Sequence, residues 1–339
     1  MTATVAGIPR AVADIPGAVA DIPGVSAEIR PIRFDPDWFS VVREPFFVHA
    51  IAGGLLVAVA AGVLGYFVVV RQHAFASHAL AHIGFPGATG AALVGAPVTL
   101  GLLVFTILGA VAIGAVGKEV ASREVATGSV LAFATGLGVL FASLQTRSAG
   151  TITNILFGSL LTISYDQLVT FALLTALVVL ALAVFARPLV FASVDPQVAR
   201  ARGVPVRLLG ALFLLLLAVV VTMAVQVVGT LLLFALVVTP AATALRLTAR
   251  PVAVVALGTA INVAAVLVGL VLAAMFNLPA SFFIVTLAVA VWAVVLVVTR
   301  DSAGRRSAAG PPAVLDGALE LPLARHHPEV SVLPRSAGD

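Results

Sequence analysis

Residues Pro45–Val70 read PFFVHAIAGGLLVAVAAGVLGYFVVV, 26 residues without one Asp, Glu, Lys or Arg. A helix needs about 20 consecutive apolar residues to cross the hydrocarbon core of a bilayer, so this stretch is long enough to do so alone. It is also one of many. Comparable runs follow at Ser77–Gly95, Pro97–Gly117, Gly128–Leu144, Leu168–Ala186, Leu208–Val225, Val228–Leu245, Pro251–Met275 and Pro279–Thr299. Over the whole chain of 339 residues, 61% are hydrophobic, 10% are charged and the mean hydropathy is +1.17. Soluble domains carry about 25% charged residues. The composition therefore predicts an all-α, polytopic integral membrane bundle of about eight to nine transmembrane helices in the cell membrane, with lipid as its surroundings.

The basic residues are placed by topology and do not indicate a nucleic-acid surface. With the segment after Arg300 in the cytoplasm and nine crossings, cytoplasmic segments carry Arg71, then Lys118 and Arg123, then Arg187, Arg200, Arg202 and Arg207, then Arg246 and Arg250, then Arg300, Arg305 and Arg306. Apart from the N-terminal tail, the other side carries only Arg147. This is the positive-inside asymmetry, and it puts the N-terminus outside. Val228–Leu245, interrupted by Pro240, is the weakest of the nine candidates. Leu156–Ile163 is apolar but too short to span, so a re-entrant or interfacial position is expected.

Both ends differ in kind from the middle. Residues 1–44 contain AVADIPG at Ala11–Gly17, repeated unchanged at Ala18–Gly24. A Pro-Gly-broken duplication of mixed charge reads as a flexible tail, and it lacks the pattern of a signal peptide. Phe34, Trp38 and Phe39 suit a position at the membrane surface. Residues 45–300 form the membrane domain, and 301–339 read as a second, disordered tail.

Chemistry-bearing residues are few. There is no cysteine, so thiolate metal sites and disulfides are excluded. All acidic residues lie outside the apolar runs or at their margins, whereas His49, His73, His78 and His82 cluster at the first two spans. His78 and His82 are four residues apart, on one helix face, a spacing that suits two nitrogen ligands for a borderline divalent ion such as zinc. His326 and His327 lie in the tail and read as solvated. In the basic loop SVDPQVARARGVPVR (Ser193–Arg207), Asp195 is a helix N-cap, Pro196 suits the first helical position and Gly203 lies just past the end. So short a helix needs a docking surface. The closest approach to a phosphate-binding loop, GAVGKE at Gly114–Glu119, lacks the required spacing and the Ser or Thr after Lys. An enzymatic role is not expected, and any ATP hydrolysis belongs to another polypeptide.

Four segments in collinear order resemble the ABC-3 family, the permeases of bacterial zinc and manganese ABC importers. VVVRQHAFASHALAHIGFPG (Val68–Gly87) matches the second-span motif at Arg71, Ala79, Leu80, His82, Pro86 and Gly87. LFGSLLTIS (Leu156–Ser164), the loop around Val194–Arg207 and VVGTLLLFALVVTPAATA (Val227–Ala244) are similar to three further family motifs. The resemblance implies a type II importer-like permease fold, and a pair of permease copies around a metal path. It implies a cytoplasmic ATPase meeting Asp195, Pro196, Ala199, Arg200 and Gly203, and an extracytoplasmic metal-binding protein. His78 and His82 become pathway ligands for a transported ion, with no permanently bound cofactor. Two positions depart from the family pattern. His78 replaces an Asp, which tilts the donor set toward zinc over manganese, and Asn277–Ser281 replaces an Asp-Leu-Pro-Ser-Gly. A permease for a metal chelate such as a siderophore or cobalamin, or an ion-coupled secondary carrier, is the alternative. The paired His argues against the first and the lack of intramembrane carboxylates against the second.

Overall fold

The computed structural model describes residues 34, 36, 38–116, 120–144, 155–230 and 232–308. The histidines at 326 and 327, Arg147, Lys118, the duplicated AVADIPG and the tail beyond Ala308 lie outside the described residues. The described elements are α-helical apart from one 3₁₀ turn. They are α1 (Trp38–Arg43), α2 (Pro45–Val70), α3 (Ala74–Val94), α4 (Val98–Val116), α5 (Val120–Ser143), the turn Leu160–Thr162, α6 (Tyr165–Val194), α7 (Pro196–Ala201), α8 (Val206–Val228), α9 (Leu233–Val237), α10 (Thr239–Leu247), α11 (Pro251–Phe276) and α12 (Ala280–Ala308).

Seven of these helices are long and apolar enough to cross a membrane. The eighth long helix, α3, has the length but is diluted by His78, His82, four glycines or prolines and a serine. Its 21 residues rise about 31 Å, enough for the hydrocarbon core. α2 and α8 form the centre: about seven-tenths of each membrane window is buried, against about a fifth for α6 and a tenth for α12. A helix that is apolar all round tolerates either setting, so hydropathy alone does not separate the central pair from the outer ones.

The weakest candidate, Val228–Leu245, is not one continuous helix. Val228 closes α8, the chain breaks at Gly229, and the segment continues as α9 and α10. The break between these two short helices has an identifiable cause. Pro240 has no N–H, so the carbonyl of Leu236, four residues earlier, loses its helical donor. Asn262 of α11, itself fully buried, supplies one: its Nδ2 donates to Leu236 O at 2.9 Å and more weakly to Ala58 O at 3.5 Å. Contacts with α11 then follow the segment along the bundle, from Asn262 at Leu236 to Gly258 against Ala241.

The short apolar piece after α5 does not span, as its length requires. Around Gly158 it folds into the bundle against the α8 break. Thr230 N–H donates to Ile155 O, and Ser159 N–H donates to Gln226 O, both at 3.0 Å. Gly158 (φ +78°) and Gly229 (φ +84°) meet back to back, and a Cβ on either would collide with the opposing segment's carbonyl, at Val227 or Leu156. Ser281 at the start of α12 donates to Phe157 O at 2.8 Å, closing this end. Helix limits also exceed the apolar runs. α6 continues past Arg187 and Pro188 to Val194, and α12 passes Arg300 to Ala308. The contacts divide the chain after Leu296, and the second unit's described part is the end of α12.

Candidate functional site: a histidine pair and a basic end

The histidine cluster of the sequence separates into three places. His49, near the start of α2, faces Tyr165 with ring centroids 6.4 Å apart. His73 caps α3 at the other end of the bundle, where its Nδ1–H donates to Arg71 O at 2.6 Å and its ring meets Phe213 at 5.2 Å. Only His78 and His82 come together. Their rings stand edge to face with centroids 4.8 Å apart.

Both belong to one stripe of α3, Phe75–His78–His82–Phe85, which the chain leaves partly open while Ala76, Ser77, Ala79, Leu80, Ala81, Ile83 and Gly84 are buried. The buried side is closely packed, with Gly87 of α3 and Gly101 of α4 meeting backbone to backbone. Small residues permit that approach in lipid, and it fixes the rotation of α3 that leaves the histidines outermost. The Nδ1 of His78 is buried without a hydrogen-bond partner, a donor atom free for a ligand. Pro86 adds another feature: it has no N–H to give the carbonyl of His82, four residues back. One face of α3 thus offers two imidazoles and a main-chain oxygen released from the helical ladder. Among the described residues, no third His, Cys, Asp or Glu joins them to make a three-ligand group.

The basic end is built around Arg71. Its guanidinium donates to Ser193 Oγ at 3.1 Å and lies over the Phe213 ring, 5.2 Å from its centroid. It thereby ties the end of α2 to the last turn of α6, just before α7. Asp195 caps α7 as its sequence requires, accepting from Gln197 N–H at 3.0 Å and Val198 N–H at 2.9 Å. Gly203 follows in the left-handed region at φ +80°. Ala199 is fully buried and seats α7 on the bundle, whereas Pro196, Gln197, Arg200, Ala201 and Arg202 are exposed.

The charge-based reading of the sequence overlooks a polar network at the other end. Thr99 of α4 donates to Gln226 Oε1 at 2.7 Å, Gln167 Nε2 reaches the same oxygen at 3.4 Å, and Thr106 and Thr222 pair at 2.8 Å. Thr and Gln barely lower the hydropathy of a run, so only their spatial convergence reveals the network.

A family profile described as the ABC 3 transport family matches residues 43–299. The chain belongs to that family. A manganese transport system membrane protein, MntC, of Halalkalibacterium halodurans is 29% identical over 276 residues, covering 79% of this chain and 94% of the relative. A Haemophilus influenzae protein named as a probable iron transport system membrane protein is 28% identical over 265 residues, covering 74% and 97%. Among solved structures, PsaBC from Streptococcus pneumoniae in complex with Fab matches with a TM-score of 0.69 at 26% identity, covering 76% of this chain and 94% of that one. The expected ABC-permease fold of a multi-pass membrane protein is therefore established. The chain is a membrane protein of a transport family.

Proposed function

We propose that this chain is the membrane-spanning subunit of an ABC importer for a divalent transition-metal ion, with His78 and His82 contacting the ion in transit. The observation that carries this reading is the edge-to-face imidazole pair on the partly open stripe of α3, with one buried ring nitrogen left unpartnered. Two imidazoles hold a metal by two of the four or more positions it requires. The rest fall to water, to the His82 carbonyl or to a second copy presenting the same stripe. Incomplete ligation also suits a path that must release its cargo.

Neutral imidazole favours zinc over manganese by ligand softness, and the carboxylate expected at position 78 is absent. Manganese is the second reading, because relatives such as MntC are named for it. A cytoplasmic ATPase would drive the cycle through the exposed side of α7 and the caps at Asp195 and Gly203, and an extracytoplasmic binding protein would deliver the ion. Two copies of the chain would line the path.

Uptake of radiolabelled zinc and manganese, in cells expressing variants at matched membrane levels, tests the assignment. His82→Leu should depress uptake at least tenfold, and His78→Asp should keep more activity than His78→Leu. If the double His78→Leu/His82→Leu variant carries both metals as well as the parent, the pair is structural and the reading fails.

A further inference from the structure

At the basic end, a cavity of about 710 Å³ opens between the end of α2, the last turns of α4, α7 and the start of α8. One part of its wall is basic: Arg71, Arg200 and Arg207 carry the charge, with His73 beside them. The remainder is apolar and includes Val111, Leu214 and Leu215, and among the described residues the lining holds no carboxylate. Arg200 and Arg207 are exposed, so their guanidinium groups are available to an incoming ligand.

The two parts are ordered by depth. Leu215 lies eight residues beyond Arg207 on α8, about 12 Å further along the axis. Val111 and Leu215 are 55% and 37% exposed on membrane-crossing helices, so that part of the wall opens sideways to lipid. The charges therefore sit at the end of the bundle and the apolar wall beneath them, within the hydrocarbon.

From this order we infer that the cavity is a binding site for a membrane phospholipid with a net negative headgroup. Its phosphate is held by Arg200 and Arg207, and the upper part of an acyl chain lies along Val111 and Leu215. Guanidinium forks match phosphate oxygens in pairs, and basic pockets at the ends of transmembrane helices are suited to anionic headgroups. The volume lies within the range of about 300–1,000 Å³ typical of ligand sites. A free phosphate would use the cationic part and leave the apolar wall without purpose. Because Arg200 lies on α7 and Arg71 ties α2 to the end of α6 just before it, a bound headgroup would also hold α7 in place. The inference rests only on the charge and shape of this end, and stands whatever ion the protein carries.

The test is native mass spectrometry of the purified full-length chain, delipidated in detergent and titrated with dioleoyl phosphatidylglycerol, with the phosphatidylcholine of the same chains, or with inorganic phosphate. Phosphatidylglycerol should be retained in preference to phosphatidylcholine and should not be displaced by millimolar phosphate. At about fivefold per surface cation, Arg200→Gln/Arg207→Gln should weaken retention roughly 30-fold. Arg246→Gln/Arg250→Gln, outside the cavity, should leave retention unchanged. Arg200→Lys/Arg207→Lys should keep most of the affinity, and Ala211→Phe, which fills the cavity without altering charge, should lower it. These two variants keep the test decisive if the Gln pair does not fold. Equal retention of both lipids, displacement by inorganic phosphate, or indifference to both the Gln pair and Ala211→Phe would each overturn the assignment.

Discussion

Asn262 offers a direct measure of what the break at Pro240 costs. Its side chain is fully buried and donates at 2.9 Å to the carbonyl that Pro240 leaves without a partner. Truncation to alanine strands that carbonyl where water does not reach, and an unsatisfied buried acceptor costs about 1–3 kcal/mol. Two facts reduce the figure. Interhelical hydrogen bonds in membranes average only about 0.6 kcal/mol, with a maximum near 1.7. The Oδ1 of Asn262 itself lacks a partner, so truncation also removes an existing penalty. The net expectation for Asn262→Ala is a loss of about 1 kcal/mol. Pro240→Ala restores an N–H that can serve Leu236 from within the helix, making Asn262 redundant. In that background the Asn262→Ala penalty should fall by more than half. The assay is a double-mutant cycle on unfolding free energies from SDS titration in mixed micelles. If Asn262→Ala costs the same with and without Pro240, the amide is not compensating for the proline and the argument is wrong.

Three other outcomes are expected. Gly229→Ala places a Cβ against Leu156 O at φ +84° and should cost about 3 kcal/mol or more, visible as a lost or sharply lowered melting transition; Gly128→Ala, in an open helical position on α5, should stabilise by about 0.5–1 kcal/mol. Ala199→Asp puts a carboxylate into the buried seat of α7 and should abolish stimulation of ATP hydrolysis by a partner ATPase while leaving metal binding by the external protein intact; unaltered stimulation would remove α7 from the coupling path. Because the chain has no cysteine, single cysteines at Gly24 and Gly310 can be labelled from either side of the membrane: the first should react from outside and the second from the cytoplasm, and labelling of both from one side would break the alternation of nine crossings.

Much of the architecture is legible along the chain because the bilayer makes it a one-dimensional problem. Every spanning backbone must satisfy its own hydrogen bonds, so a long apolar run is a helix. Pro45–Val70 is predicted and observed with the same limits. The Asp195 cap and the Gly203 turn are equally local, since their partners lie within a few residues. The apolar runs mislead where a helix outlasts its lipid contact. α6 extends eight residues past Ala186, running through Pro188 to end where Asp195 caps α7. For the candidate site, the sequence places His78 and His82 on one face but cannot say which face is covered.

That choice depends on partners distant in the chain. The Gly87–Gly101 contact turns the small-residue side of α3 inward and leaves the histidines on the open stripe. His49 and His73, neighbours of the pair in sequence, are carried to opposite ends of the bundle. The donor that meets Leu236 comes from Asn262, 26 residues later, and the backbone that receives Gly229 comes from Leu156, on a segment preceding α6. Sequence alone therefore determines the medium, which segments are apolar enough to reach membrane depth and the local caps, all governed by transfer free energy and short-range hydrogen bonding. Only the tertiary structure decides which helices are central, where the broken segment finds its missing donor and which histidines share a site. Helices of nearly uniform apolarity carry no label for inside and outside, and close packing between distant segments supplies it.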